Sequence, residues 1–138
     1  MICYLDSSPV TRVVASQSPV LRDWGAWERA FTSDLTSAEV RRSLHRIEHD
    51  GFIGADDLAS RLNGLALLER RWTSMPISRL VLRLAGMSLA SPLKTLDAIH
   101  IASAIILRDQ LREPIIFATH DRQQATAARS LGFEAIGV

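Results

Sequence analysis

Cysteine is nearly missing from this chain: Cys3 is the only one among 138 residues. That excludes an intrachain disulfide and any cysteine-built zinc site. A lone cysteine in an apolar opening segment reads as a small core residue. Lysine is as scarce, since Lys94 is the one lysine among 16 basic residues and the rest are arginine. Arginine suits bidentate phosphate contacts, but a GC-rich coding bias produces the same excess, so the imbalance alone decides nothing. No window reaches the ~18 uninterrupted apolar residues of a membrane span. The opening MICYLDSS lacks the basic and long apolar regions of a signal peptide, so a cytoplasmic protein is expected. Repeats, low-complexity tracts and long linkers are also missing, and the length suits one domain covering residues 1–138. A net charge of +1 gives no global field for nucleic acid, so any polyanion site must be local.

What is present is an apolar fraction of 47%, enough for a sizeable core. Ile2–Leu5 reads as a buried strand. Asp6-Ser7-Ser8-Pro9 then starts a helix, with Ser8 as cap and Pro9 in the first turn. A helix is expected after Pro19, carrying Trp24 and Trp27 on one face. A strand within Ala30–Leu35 precedes a helix from Thr36 with the apolar stripe Val40, Leu44 and Ile47, stopped at Asp50-Gly51. Further helices are expected over Ala55–Trp72 and Ser78–Met87, with a short strand at Met75–Ile77 between them. The segment LDAIHIASAIIL, apolar almost all round, is the pattern of a helix buried inside a domain. Ile115–Ala118 is the clearest strand. A helix over Arg122–Leu131, a stop at Gly132 and a strand at Glu134–Ile136 close the chain. Strands alternating with helices imply α/β architecture, a parallel sheet covered on both faces.

In such sheets ligands bind beyond the carboxyl ends of the strands, and four acids fall on that rim. Asp6 ends the first strand, Asp121 follows Ile115–Ala118, and Glu39 and Asp97 lie in first turns of helices. Each has a structural explanation. Thr36-x-x-Glu39 fits a capping box, Asp121-x-x-Gln124 could cap the last helix, and Asp97 after a Thr95 cap suits the helix dipole. Asp6 has the weakest such explanation, because Ser8 already serves as cap and no local partner is evident. Together the four carry more weight. Two carboxylates ~4 Å apart repel by ~4 kcal/mol at an effective dielectric near 20, so gathering four calls for cations. All-oxygen ligands favour magnesium or manganese, and such a site suits phosphodiester hydrolysis.

The segments YLDSS, TSAEVRRSL, LDAIHIASA and FATHDRQQATAARSLGF, in this order and spacing, resemble the motifs of PIN-domain ribonucleases, and specifically the VapC-type toxins of toxin–antitoxin pairs. The resemblance runs along essentially the whole chain. It implies a PIN-like three-layer α/β/α sandwich around a mostly parallel sheet of about five short strands. It implies that Asp6, Glu39, Asp97 and Asp121 bind Mg²⁺ or Mn²⁺ and activate water. Thr119 and Ser7 would support the acids by hydrogen bonds and, with Arg42, complete the substrate-binding set. The expected substrate is RNA, often a tRNA or rRNA loop, and the expected partners are a second copy and a cognate antitoxin. Arg42, with Arg46 beyond it, could hold a phosphate or pair with the acids, and Lys94 could touch RNA or be an ordinary loop lysine. Pro9 departs from the small or aliphatic residue usual in such toxins, but it fits a helix start.

Three rival readings remain. His45-Arg46-Ile47-Glu48-His49 spells the inverted zinc-peptidase motif, with His45 and His49 as ligands and Glu48 as base, although neighbouring arginines disfavour a dication and no third ligand is evident. A dehalogenase-like phosphatase would need an acid where Ser8 stands. A PIN-like regulatory module without catalysis would not need all four acids.

Overall fold

The computed structural model describes all residues from Met1 to Val138. Its sheet contains β1 (Ile2–Leu5), β2 (Arg29–Ser33), β3 (Thr73–Met75), β4 (Ile115–Ala118) and β5 (Glu134–Ile136). They run in the order β3-β2-β1-β4-β5, every pair parallel. β1 is central because all four of its residues are buried apolar side chains, the pattern a strand needs when both faces are covered. Its side chains alternate between two cores. Ile2 and Tyr4 join Phe31, Ile101, Leu107, Phe117 and Phe133 on one face. Cys3 and Leu5 join Val10, Val40, Leu44 and Leu65 on the other.

The helices are α1 (Ser7–Val14), α2 (Leu35–His49), α3 (Ala55–Glu69), α4 (Arg79–Ala85), α5 (Thr95–Leu111) and α6 (Arg122–Ser130). Through their buried residues, α1, α2 and α3 cover the Cys3 face, while α5 and α6 cover the Tyr4 face. The expected parallel sheet clothed on both sides is therefore observed. In α5 every residue from Ala98 to Ala104 is buried, as its all-round apolar pattern requires. No helix is long and apolar enough to cross a membrane.

The structure corrects several local expectations. No helix follows Pro19. The segment forms turns, with Trp24 N–H bonded to Leu21 O and Ala26 N–H to Asp23 O, and Gly25 at φ 84° interrupts any helical continuation. Trp24 and Trp27 still meet, edge to face at 5.2 Å, so core packing survives without the helix. α3 stops at Glu69, short of Trp72, and β3 precedes Pro76 instead of spanning it. Asp6, not Ser8, caps α1, accepting from Ser8 N–H. The Thr36–Glu39 capping box is absent: Thr36 shares a hydrogen bond with Thr32, and Asp34 occupies the cap position without a side-chain bond. Thr95 is the first residue of α5, after a Lys94 cap that uses no side-chain bond.

Candidate active site

The strand order reverses direction between β1 and β4, and the crevice of a parallel sheet opens at that point. Two acids flank it. Asp6 continues from β1, its N–H bonded to Ala118 O of β4 at 3.0 Å. Asp121 caps α6 just beyond β4, accepting Gln124 N–H at 2.9 Å. Asp97 arrives from the first turn of α5 and Glu39 from the start of α2. The four expected acids thus come from four helix starts, on both sides of the sheet.

Asp6 is only 3% exposed and is held from several directions. Its Oδ2 accepts the Ser8 hydroxyl at 2.6 Å and Ser8 N–H at 3.1 Å. Thr119 Oγ1 lies 3.2 Å from the same oxygen and 2.7 Å from Gln124 Oε1, so its one proton is shared between them. Gln124 Nε2 donates to Asp6 Oδ1 and to the Asp97 main-chain carbonyl, each at 3.3 Å. Besides Ser8, its partners come from the turn after β4 and from α6, more than a hundred residues away.

Asp97 feels its neighbours. Burial, and then the charges of Asp6, Asp121 and Glu39, raise its pKa above the ordinary carboxylate value, against the lowering influence of His100. Its charged form is therefore disfavoured, first by burial and then by the negative charge at the rim. His100 Nε2 lies 2.6 Å from Glu39 Oε1 and 3.5 Å from Asp6 Oδ1. Burial pulls the imidazole pKa down, but Asp6, Glu39 and Asp97 outweigh it and the net shift is upward. On the far wall, His120 Nδ1 donates to Gly137 O at 2.7 Å. Burial lowers the pKa of that ring.

The acids offer hard oxygen donors, and the unfavourable charge on Asp97 is what a divalent cation would relieve. Asp6, Glu39, Asp97 and Asp121 are the groups available to one. No three His, Cys, Asp or Glu side chains converge at ligand distance anywhere in the chain. At the rim, Asp6 is held by Ser8, Thr119 and Gln124, and Glu39 Oε1 by His100. The same geometry leaves the zinc-peptidase motif without support: His45 and His49 are exposed on α2, and no third ligand approaches them.

The expected supporting residues need two corrections. The hydroxyl that reaches Asp6 belongs to Ser8, not Ser7. Thr119 makes the expected hydrogen bond to Asp6, but it is fully buried, which does not fit the substrate-binding role expected of it. Arg42 is exposed and borders a polar surface hollow with His45, Arg46, Glu48 and His49, while Lys94 is an exposed residue before α5. Sequence reasoning missed His100, Gln124 as a side-chain partner, and Tyr4. The available signal for His100 was its position one turn after Asp97, as the polar interruption of an apolar run.

Residues 3–130 match the model of the PIN domain family. Over 94% of the chain and 92% of the relative, the sequence is 31% identical to Ribonuclease VapC47 of Mycobacterium tuberculosis (strain CDC 1551 / Oshkosh). The fold is similar to that in the structure of VapBC-1 from nontypeable Haemophilus influenzae, with a TM-score of 0.58, 14% identity, and coverage of 99% of this chain and 97% of that one. It is also similar to the structure of FitAB bound to an IR36 DNA fragment, with a TM-score of 0.62, 17% identity, and coverage of 99% and 94%. With a family-model match over most of its length and a parallel five-stranded sheet, the chain belongs to the PIN domain family.

Proposed function

We propose that this protein is a metal-dependent endoribonuclease, the toxin of a toxin–antitoxin pair, acting in the cytoplasm. The observation that carries the reading is the placement of Asp6, Glu39, Asp97 and Asp121 at one rim of the sheet, where Gln124 links Asp6 to Asp97 and His100 links Asp6 to Glu39, an acidic site that suits cation-assisted phosphodiester hydrolysis. A PIN domain relative named as a ribonuclease at 31% identity, and a likeness to VapBC-1, support the substrate class and an antitoxin partner. Homodimerisation is part of the same proposal.

Asp6, Glu39, Asp97 and Asp121 would hold Mg²⁺ or Mn²⁺. When bound, such an ion supplies Lewis acidity toward a phosphodiester oxygen and lowers the pKa of an attacking water. The chain's own contribution is positioning. Ser8, Thr119 and Gln124 fix Asp6, and Gln124 ties that carboxylate to the main chain at Asp97, so two acids from different elements keep one spacing. Arg42 and Arg46 stand further along the helix that carries Glu39 and would hold backbone phosphates.

The test is incubation of partner-free protein with structured RNA in Mg²⁺ or Mn²⁺. Parallel reactions carry EDTA, the Asp97→Asn variant, or a peptide with added zinc. Cleavage that disappears with EDTA and with Asp97→Asn is expected. Full activity in Asp97→Asn would remove that residue from the site, RNA left intact throughout would favour a regulatory module, and peptide cleavage would revive the zinc reading.

A further inference from the structure

His100 lies at the rim, yet the proposed chemistry gives it no task. It is completely buried in the second turn of α5. An imbedded imidazole costs free energy unless its nitrogens find partners, and here both do. Nε2 lies 2.6 Å from Glu39 Oε1, and Nδ1 lies 3.1 Å from the Tyr4 hydroxyl. An ionised carboxylate only accepts, so Nε2 carries the proton of that bond. Tyr4 is fixed in turn, fully buried and stacked on Phe117 with ring centroids 5.5 Å apart.

The contacts therefore run Phe117, Tyr4, His100, Glu39, from β4 through β1 and α5 to α2. Glu39 needs such an anchor. It stands on α2, on the other side of the sheet from α5, and its flexible side chain would otherwise sample several rotamers. The bond to His100 occupies Oε1 and leaves Oε2 for a ligand. Asp6 has Ser8, Thr119 and Gln124 to orient it, whereas for Glu39 the side-chain partner is His100.

We infer that His100 is a positioning residue that holds Glu39 at the acid rim through an Nε2–H to Oε1 hydrogen bond, with Tyr4 fixing the imidazole. What the rim binds rests on the proposed function, but the hydrogen bond itself does not. Partners that orient ligands typically change metal affinity ~10- to 100-fold when lost.

Two measurements test it on the full chain. The first is a long-range ¹H–¹⁵N NMR spectrum of metal-free protein. A protonated Nε2 on His100, whose proton resonance moves on Glu39→Gln, is expected, and an unprotonated Nε2 would overturn the inference. The second is Mn²⁺ titration followed by the electron paramagnetic resonance of the free ion, with melting checked for each variant. His100→Leu should bind Mn²⁺ at least ~10-fold more weakly. His100→Gln, whose amide can still donate to Glu39, should recover most of that loss, and Tyr4→Phe should fall between. A folded His100→Leu variant with wild-type affinity, or no recovery in His100→Gln, would overturn the assignment. Should His100→Leu fail to fold, Tyr4→Phe and the NMR spectrum decide. Wild-type protein that binds no Mn²⁺ would count against the proposed function, and the spectrum would still judge the Glu39 bond.

Discussion

At Asp97, burial and the charges of Asp6, Asp121 and Glu39 all act in one direction and raise the carboxyl pKa. The linkage consequence has a definite sign. An acid whose folded pKa lies above its unfolded value binds protons more tightly in the native state. Stability therefore falls as pH rises from the unfolded carboxylate pKa, near 3.8, through the raised folded one, and the penalty is complete above both. Asp97→Asn removes that penalty. The variant is expected to melt above the metal-free wild type at pH 7, with the gap closing as pH is lowered through the carboxylate range. Adding Mn²⁺ should raise the wild-type midpoint and leave the variant's nearly unchanged, because only a native-state ligand site shifts the equilibrium. Melting curves over a pH series, with and without Mn²⁺, check both signs.

At the scale of the element, α2 joins two chemistries along its length. Val40 and Leu44 are fully buried against the sheet, which fixes the rotation of the helix. Glu39 then faces His100, and Arg42 and Arg46, at helical spacings of three and seven from Glu39, stay exposed near the same stripe. Arg41 is spent otherwise, in a two-pronged bond to Glu69 of α3. If Arg42 and Arg46 hold phosphates, Arg42→Gln and Arg46→Gln should each weaken RNA binding and reduce the slope of log affinity against log salt by about 1. Because such contacts form equally in ground and transition states, KM should rise with kcat unchanged. Fluorescence anisotropy with an Asp97→Asn background, over a salt series, reads the slope without cleavage. Unchanged slopes would mean a solvated face.

At the scale of the whole molecule, the last strand closes against the site. Gly137 follows β5 at φ 103°, and a Cβ there would collide with the Thr119 carbonyl and come 2.8 Å from Leu21 Cδ2. Its carbonyl also receives His120 Nδ1. Thr119 N–H in turn donates to Ile136 O at 3.0 Å, so the β5 end braces the residue that orients Asp6. Gly137→Ala combines backbone strain, worth roughly 1–3 kcal/mol, with that collision. It should lower the denaturant midpoint and reduce cleavage, although no atom of Gly137 belongs to the acid cluster. Chemical unfolding beside an RNA assay checks the pair of effects. A variant of unchanged stability would show that this close approach can relax freely.

The alternation of apolar strands and helices, the all-apolar LDAIHIASAIIL and the four acids at element ends were all legible in the sequence, because periodicity and burial are local properties that a strand or helix must satisfy wherever it packs. The stop of α3, the turns around Trp24 and the choice between Asp6 and Ser8 as cap were not, since each is a contest between nearby groups of similar propensity that distant contacts settle. Asp6 illustrates the division. Its place at the end of β1 follows from the sequence, but the Thr119 and Gln124 that hold it lie 113 and 118 positions away. His100 illustrates it further. Its position within an apolar helix names no partner, and only the packing of α2 and α5 on opposite faces of one sheet brings its Nε2 to Glu39. The sequence by itself determined which residues carry charge and which must be buried. The tertiary structure decided which polar groups meet, because hydrogen-bond partners depend on the relative placement of elements that no local pattern encodes.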